Sequence, residues 1–413
     1  MEPENPTSAP ESSTPDAKLQ DPPTSVHDAN AAVTALDAMR STPETGILQP
    51  EGQPPVATNP LVLIFIGPQG LRAGWSLCIF VSLFFGLASL INWLVRLSHV
   101  VPKRAPGSTA AMEPLGSIVT ECSGVLMILL ASWIMAKIER RRIADYNLAG
   151  PGPMARFGNG LVVGFLALSV LVFALNLGGW IHFSGLALSG TQILKYAAAW
   201  AVAFLMVGCF EEGLARCYLL YTLARGLNFW WALGLVVVLC GVATLNPKAS
   251  GLWGAYLIAL LGLAPCLLLE LKKAPSSGFW CATWVTSVMF GAGHTANPGE
   301  NWIGIFSAAG IGVVFCASVR LTGSVWWAVG CHAAWDWGQS YFYGTPDSGF
   351  LAKGHLLNST MTGNTLWSGG ADGPEGSVLV IPTMLLILLA LIVMYGRKRA
   401  EAAPVIAAEQ AAG

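Results

Sequence analysis

Three short stretches of this chain set ionisable side chains inside apolar runs. Cys209-Phe-Glu211-Glu212-Gly-Leu-Ala-Arg216 lies within the run 196–222, Phe290-Gly-Ala-Gly-His294 closes a second, and His332-Ala-Ala-Trp-Asp336 sits inside a third. An ionised group at the middle of a membrane-spanning helix costs about 2.5–3.5 kcal/mol on insertion scales, so three in one run cost roughly 8–10 kcal/mol before compensation. Glu212 and Arg216 are four residues apart and share a helix face, where they can pair. Glu211 is turned about 100° away and is free to address something else. His332 and Asp336 have the same spacing, which can chelate a metal or fix an imidazole in one tautomer. A salt-bridge network without chemistry would explain the first stretch, and a histidine bonded to a carbonyl would explain either of the others. Two Glu, two His, an Asp and an Arg on three runs point instead to one polar cavity.

The elements that must position these groups are membrane helices. Of 413 residues, 54% are hydrophobic and only 11% charged, with mean hydropathy +0.58. A soluble domain carries about 25% charged residues, so most of this surface does not face water. The expected fold class is all-α, a polytopic transmembrane bundle of about eight to ten spans. Runs of about 20 apolar residues, enough to cross 30 Å of hydrocarbon, fall at 73–97, 115–137, 158–179, 196–222, 302–320, 324–344 and 377–395. The region 229–296 divides less clearly into runs at 229–246, 252–269 and 279–294. Residues 1–60, rich in Pro, Ser, Thr and acidic residues, read as a disordered tail. Nine Cys, mostly in apolar runs such as those around Cys78, Cys209, Cys240, Cys266 and Cys316, read as small hydrophobes without metal-type spacing. The net charge of −1 and the lack of a dense basic patch argue against a nucleic-acid partner.

Charge also suggests orientation. Lys137 and Arg140 to Arg142 follow the second span, and Arg397, Lys398 and Arg399 follow the last. Short loops rich in Lys and Arg stay cytoplasmic, which puts both termini inside and the loop 345–376 outside. Arg96, Lys103 and Arg104 fall on the wrong side for this rule. No internal repeat is present, which weakens an ion-coupled transporter as the alternative.

Glu-Glu-x-x-x-Arg, Phe-x-x-x-His and His-x-x-x-Asp, in this order on three spans, resemble the CPBP intramembrane endopeptidases, which include type II CAAX prenyl proteases and the Abi bacteriocin-processing and immunity proteins. The resemblance covers roughly residues 150–345, with Leu321-Thr-Gly-Ser-Val-Trp-Trp-Ala also familial. It implies that Glu211 and His294 activate water, that Glu212 and Arg216 support them, and that His332 with Asp336 orients the site or stabilises the oxyanion. The family often carries Asn where this chain has Asp336, which weakens an oxyanion-donor role there and favours a metal-ligand role. Both a Zn²⁺ site of Glu211, His294, His332 and Asp336 and a metal-free glutamate mechanism stay open.

The expected division is a tail (1–60), N-terminal helices (61–149), the protease-like core (150–345) with an apolar insertion at 231–275, an outer loop (346–376), and a last span with a basic tail (377–413). The expected function is hydrolysis of a membrane-associated or secreted peptide in a bacterial inner membrane; a non-catalytic immunity or binding protein is the other alternative. One geometric obstacle stands out. Glu211 is near the middle of its run and His294 late in its own, a mismatch of ~10 Å at 1.5 Å rise per residue. A helix broken at Gly291 and Gly293, or a shifted start, could close that gap.

Overall fold

The computed structural model describes residues 60–67, 70–98, 111–245 and 253–412. The expectations for residues 1–59, Lys103 and Arg104 lie outside the described residues. Helices form where the apolar runs lie: α1 (Ala73–Ser98), α2 (Pro114–Ile138), α3 (Pro153–Leu177), α4 (Thr191–Glu212), α5 (Leu220–Ala224), α6 (Phe229–Ala243), α7 (Trp253–Leu261), α8 (Ala264–Leu271), α9 (Ser277–His294), α10 (Trp302–Thr322), α11 (Trp326–Asp336) and α12 (Val380–Ala412). Their ends follow local chemistry. Proline opens α2 and α3, where a missing N–H costs nothing. The side chain of Asn301 accepts from the backbone N–H of Ile303 and Gly304 at the start of α10, and Gly323, at φ +74°, ends it.

The fold is an all-α polytopic bundle. Among the described residues six helical segments are long and apolar enough to cross a membrane, and α6 and the apolar part of α12 are shorter. By length and composition that is fewer than the eight to ten spans expected, because α9 is rich in small and polar residues and α11 is only 11 residues long before its π-helical extension. Large apolar side chains cover the outside, among them Phe85, Leu115, Phe173, Trp230, Leu268 and Val393, all more than half exposed. A water-soluble monomer does not display so much apolar surface.

Helix α11 is the innermost element and packs closely on α3 and α4. Backbone touches backbone there because the residues between are glycines. A Cβ added at Gly160 would lie 2.2 Å from the carbonyl oxygen of Trp327, and one at Gly164 2.2 Å from that of Cys331. From the other side, a Cβ at Gly330 would meet the carbonyl oxygen of Phe157 at 2.2 Å. Small residues at such crossings let membrane helices gain dispersion contact where lipid offers no hydrophobic driving force.

Two helices change pitch beside the site residues, one just after Glu212 and one just after Asp336. A π-helical turn, Gly213–Leu219, carries α4 into α5, so that Thr191–Ala224 is one 34-residue rod. A second, Trp337–Phe342, extends α11. Beyond α11, strand β1 (Ile181–Leu186) pairs antiparallel with β2 (Leu357–Met361), with Ile181 opposite Met361 and Phe183 opposite Ser359. This ribbon ties the outer loop to the end of α3.

The two ends of the bundle differ in charge. Lys137, Arg140, Arg141, Arg142, Arg225, Lys272, Lys273 and Arg320 sit at the end where α2, α5, α8 and α10 finish and α3, α9 and α11 begin. Glu113, Glu300, Asp347, Asp372 and Glu375 sit at the opposite end, with the β1–β2 ribbon.

Candidate functional site

The three sequence stretches meet. Glu211, His294, His332 and Asp336 line one cavity of about 340 Å³, and Glu212 and Arg216 are fully buried next to it. The expected ~10 Å mismatch in depth is largely absent. Gly278 at the start of α9 abuts the carbonyl of Ala224 at the end of α5, giving a common level. From there Glu211 lies 13 residues back and His294 16 residues on, ~20 and ~24 Å at 1.5 Å per residue. The long rod places Glu211 nearer the ribbon end of the bundle than the apolar run suggested. No break is needed, since α9 is continuous through Gly291 and Gly293.

Glu212 organises the interior. Its Oε1 accepts from Arg216 Nη1 at 3.1 Å and from His332 Nδ1 at 2.9 Å. An ionised carboxylate only accepts, so the imidazole proton at this contact belongs to Nδ1. Arg216 is held between rings, its guanidinium 4.5 Å from the centroid of Phe290 and 5.4 Å from that of Phe315. Gly312 leaves the notch it needs, since a Cβ there would stand 2.8 Å from Nη2. Asn147 donates to the carbonyl of Arg216 at 2.8 Å. The result is a desolvated chain, Arg216 to Glu212 to His332, that fixes which imidazole nitrogen faces the cavity.

That nitrogen, Nε2, lies 3.7 Å from Glu211 Oε2 and 3.5 Å from Asp336 Oδ2. His294 is set apart from this cluster. Its Nδ1 lies 2.8 Å from the carbonyl of Phe290, and its ring packs on Phe290, which also packs on His332. The nearest imidazole to Glu211 is thus His332, although His294 faces the same cavity. Among the described residues no group of three or more His, Cys, Asp or Glu side chains is arranged to hold a metal ion. The four expected zinc ligands share a cavity without converging as a ligand set.

The cavity also contains acids that the motifs do not include. Glu121 enters from α2, and Asp347 and Glu375 from the loop 346–376, with Asn297 just after α9. Glu121 lies inside the apolar run 115–137, so the insertion-cost reasoning applied to Glu211 reaches it as well. Asp347 and Glu375 have no comparable local signal, because only the folded loop brings them in. Both are fixed. Ser340 donates to Asp347 Oδ2 at 2.8 Å, and the hydroxyl and backbone N–H of Ser348 both donate to Glu375 Oε1, the hydroxyl at 2.9 Å. Burial, then the charges of Asp336 and Glu375, raise the Asp347 carboxyl well above its ordinary range, and burial raises that of Glu375.

Glu300, just past His294 in the sequence, points away from the cavity. Its Oε1 and Asp372 Oδ2 would each lie 2.2 Å from a Cβ at Gly304, so the two oxygens are no more than about 4.4 Å apart. Burial followed by the charge of Asp372 raises Glu300 to about 9, and burial followed by the charge of Glu375 raises Asp372 to about 8. The other two described histidines are outside the cavity: His182 is in β1, and His355 Nδ1 lies 2.8 Å from the carbonyl of Ala352.

Residues 266–338 match the family described as type II CAAX prenyl endopeptidase Rce1-like. The match takes in His294, His332 and Asp336 and does not reach Glu211. No curated protein and no solved structure matches the chain.

Proposed function

We propose that this protein is an intramembrane endopeptidase that hydrolyses a peptide bond by water activated at Glu211. The observation carrying the reading is the meeting of Glu211, His332 Nε2 and Asp336 within 3.7 Å in a cavity that His294 also lines. A carboxylate placed beside an oriented imidazole is equipment for general acid–base chemistry. The family match supplies the reaction class.

In the proposed route Glu211 takes a proton from water as its oxygen attacks the scissile carbonyl carbon. The carbonyl electron pair moves onto oxygen, and His332 in its imidazolium form donates Nε2–H to that oxygen while Nδ1–H stays on Glu212. His294 polarises the water from its own wall. Collapse of the tetrahedral intermediate breaks the C–N bond, and the proton held by Glu211 passes to the leaving amine. Asp336, an acceptor when ionised, holds His332 in place. This route uses no metal.

Glu211→Gln removes the base and keeps the shape. In detergent or nanodiscs it should cut a quenched fluorescent peptide at least about 100-fold more slowly than wild type, the lower end of general-base contributions, with an unchanged melting temperature. Full activity in that variant would sink the assignment. Loss of wild-type activity on adding a chelator, restored by Zn²⁺, would replace the metal-free route with a metal-dependent one.

We also propose that the basic end faces the cytoplasm, so the cavity opens on the other side of an inner membrane. A membrane-impermeant thiol reagent should then label a cysteine placed at Leu351 in intact cells. Protection until lysis would reverse the orientation.

A further inference from the structure

The charge balance of the cavity is one-sided. Among the described residues five carboxylates line it, Glu121, Glu211, Asp336, Asp347 and Glu375, against two imidazoles and no Lys or Arg. Arg216 does not redress this, because it is buried behind the wall and its charge is matched by Glu212. The most telling member is Asp336. It is 7% exposed, lines the cavity, and among the described residues has an ion-pair contact with His332 but no hydrogen-bond donor. Its carboxylate opens into the cavity, where a ligand N–H can reach it and offset part of the desolvation cost of its charge. Asp347 and Glu375 are not loose loop acids, being held in position by Ser340 and Ser348. The loop between them reaches the cavity through Gly349, at φ +80°, where any side chain would collide with the carbonyl of Pro298.

We infer that the cavity selects peptides carrying a lysine or arginine side chain next to the scissile bond, and disfavours peptides that bring a carboxylate there. This rests on the endopeptidase reading for its catalytic part. The cation supplies N–H donors to Asp336, Asp347 and Glu375, while Glu211 stays available to water. An incoming carboxylate, whether an acidic side chain or a free C-terminus at the cut, meets a wall of acidic groups with only the two imidazoles, and no lining Lys or Arg, to receive it.

The test is a set of peptides matched in length and apolarity with Lys, Gln or Glu at the residues flanking the cut, assayed on the full-length protein in nanodiscs. The expected result is a kcat/KM about tenfold higher for Lys than for Gln, with Glu lower still; tenfold corresponds to about 1.4 kcal/mol. In Asp347→Asn/Glu375→Gln the Lys-to-Gln ratio should fall towards one. Equal rates for Lys and Gln peptides on the wild-type protein overturn the inference without touching the endopeptidase reading, and so does an unchanged ratio in the double variant. A parallel binding measurement, with labelled non-cleavable Lys and Gln peptides on wild-type protein, separates the two claims. Lys-dependent binding without any cleavage would uphold the selectivity and sink the peptidase, and equal binding of both peptides would sink the selectivity.

Discussion

At the scale of residues, the chemistry depends on one proton being on one nitrogen. Glu212 holds Nδ1–H of His332 at 2.9 Å and is itself held by Arg216. Glu212→Gln keeps a hydrogen-bond acceptor but removes the charge that fixes the tautomer. We expect kcat to fall by about 10- to 100-fold with KM nearly unchanged, the size typical of losing an orienting partner. The melting temperature should fall too, because Arg216 would keep a buried charge without its counter-ion. An unchanged kcat would show that Glu212 serves only to neutralise Arg216. The Glu212–Arg216 pair and the His332–Asp336 pair were legible from four-residue spacing alone. The link between Glu212 and His332 was not, since it joins residues 120 positions apart. Glu121 could have been found by the insertion-cost reasoning already applied to Glu211.

At the scale of elements, the site exists because α11 is pressed into its neighbours. The glycines at 160, 164 and 330 allow backbone contact, and that contact sets where His332 stands relative to Glu211. Gly164→Leu would drive a side chain into the carbonyl of Cys331. Overpacking of this kind costs about 1–3 kcal/mol, so thermal unfolding in detergent should occur several degrees lower, with activity reduced as well. Gly234→Ala in α6, where a Cβ has open space, is the control and should leave the melting temperature unchanged or raise it. Apolar runs in the sequence indicated most of these helices. The π-helical turns beside Glu212 and Asp336 could not be read, because an extra residue in a turn leaves no mark on hydrophobic periodicity.

At the scale of the whole molecule, acids outnumber bases at one end and bases outnumber acids at the other. The acidic end carries a cost that depends on pH. Asp372 and Glu300 titrate near 8 and 9 in the folded protein, against about 4 when unfolded. Raised carboxyl values mean that the folded state binds more protons than the unfolded state between those limits. Their stabilising contribution is therefore complete below about pH 4 and is lost as pH rises through 8 to 9. The melting temperature should be higher at pH 5.5 than at pH 9, and Glu300→Gln should flatten that dependence. A pH-independent melting temperature in the wild type would argue against the crowded pair. The overall class, a membrane bundle with the three motifs converging, was visible in composition and spacing. The acidic outer wall was not, because Asp347 and Glu375 reach the cavity only through tertiary folding of the loop.

The β1–β2 ribbon has a consequence for how the polypeptide can be divided. Everything after residue 356 is attached twice to what precedes it, by strand pairing with Ile181–Leu186 and by α12 lying against α10 and α3. Backbone continuity across Lys353 to Leu356 thus adds little to what already keeps the halves together. Two polypeptides, 1–354 and 355–413, expressed side by side should assemble into a single active particle that co-purifies through a tag on either piece.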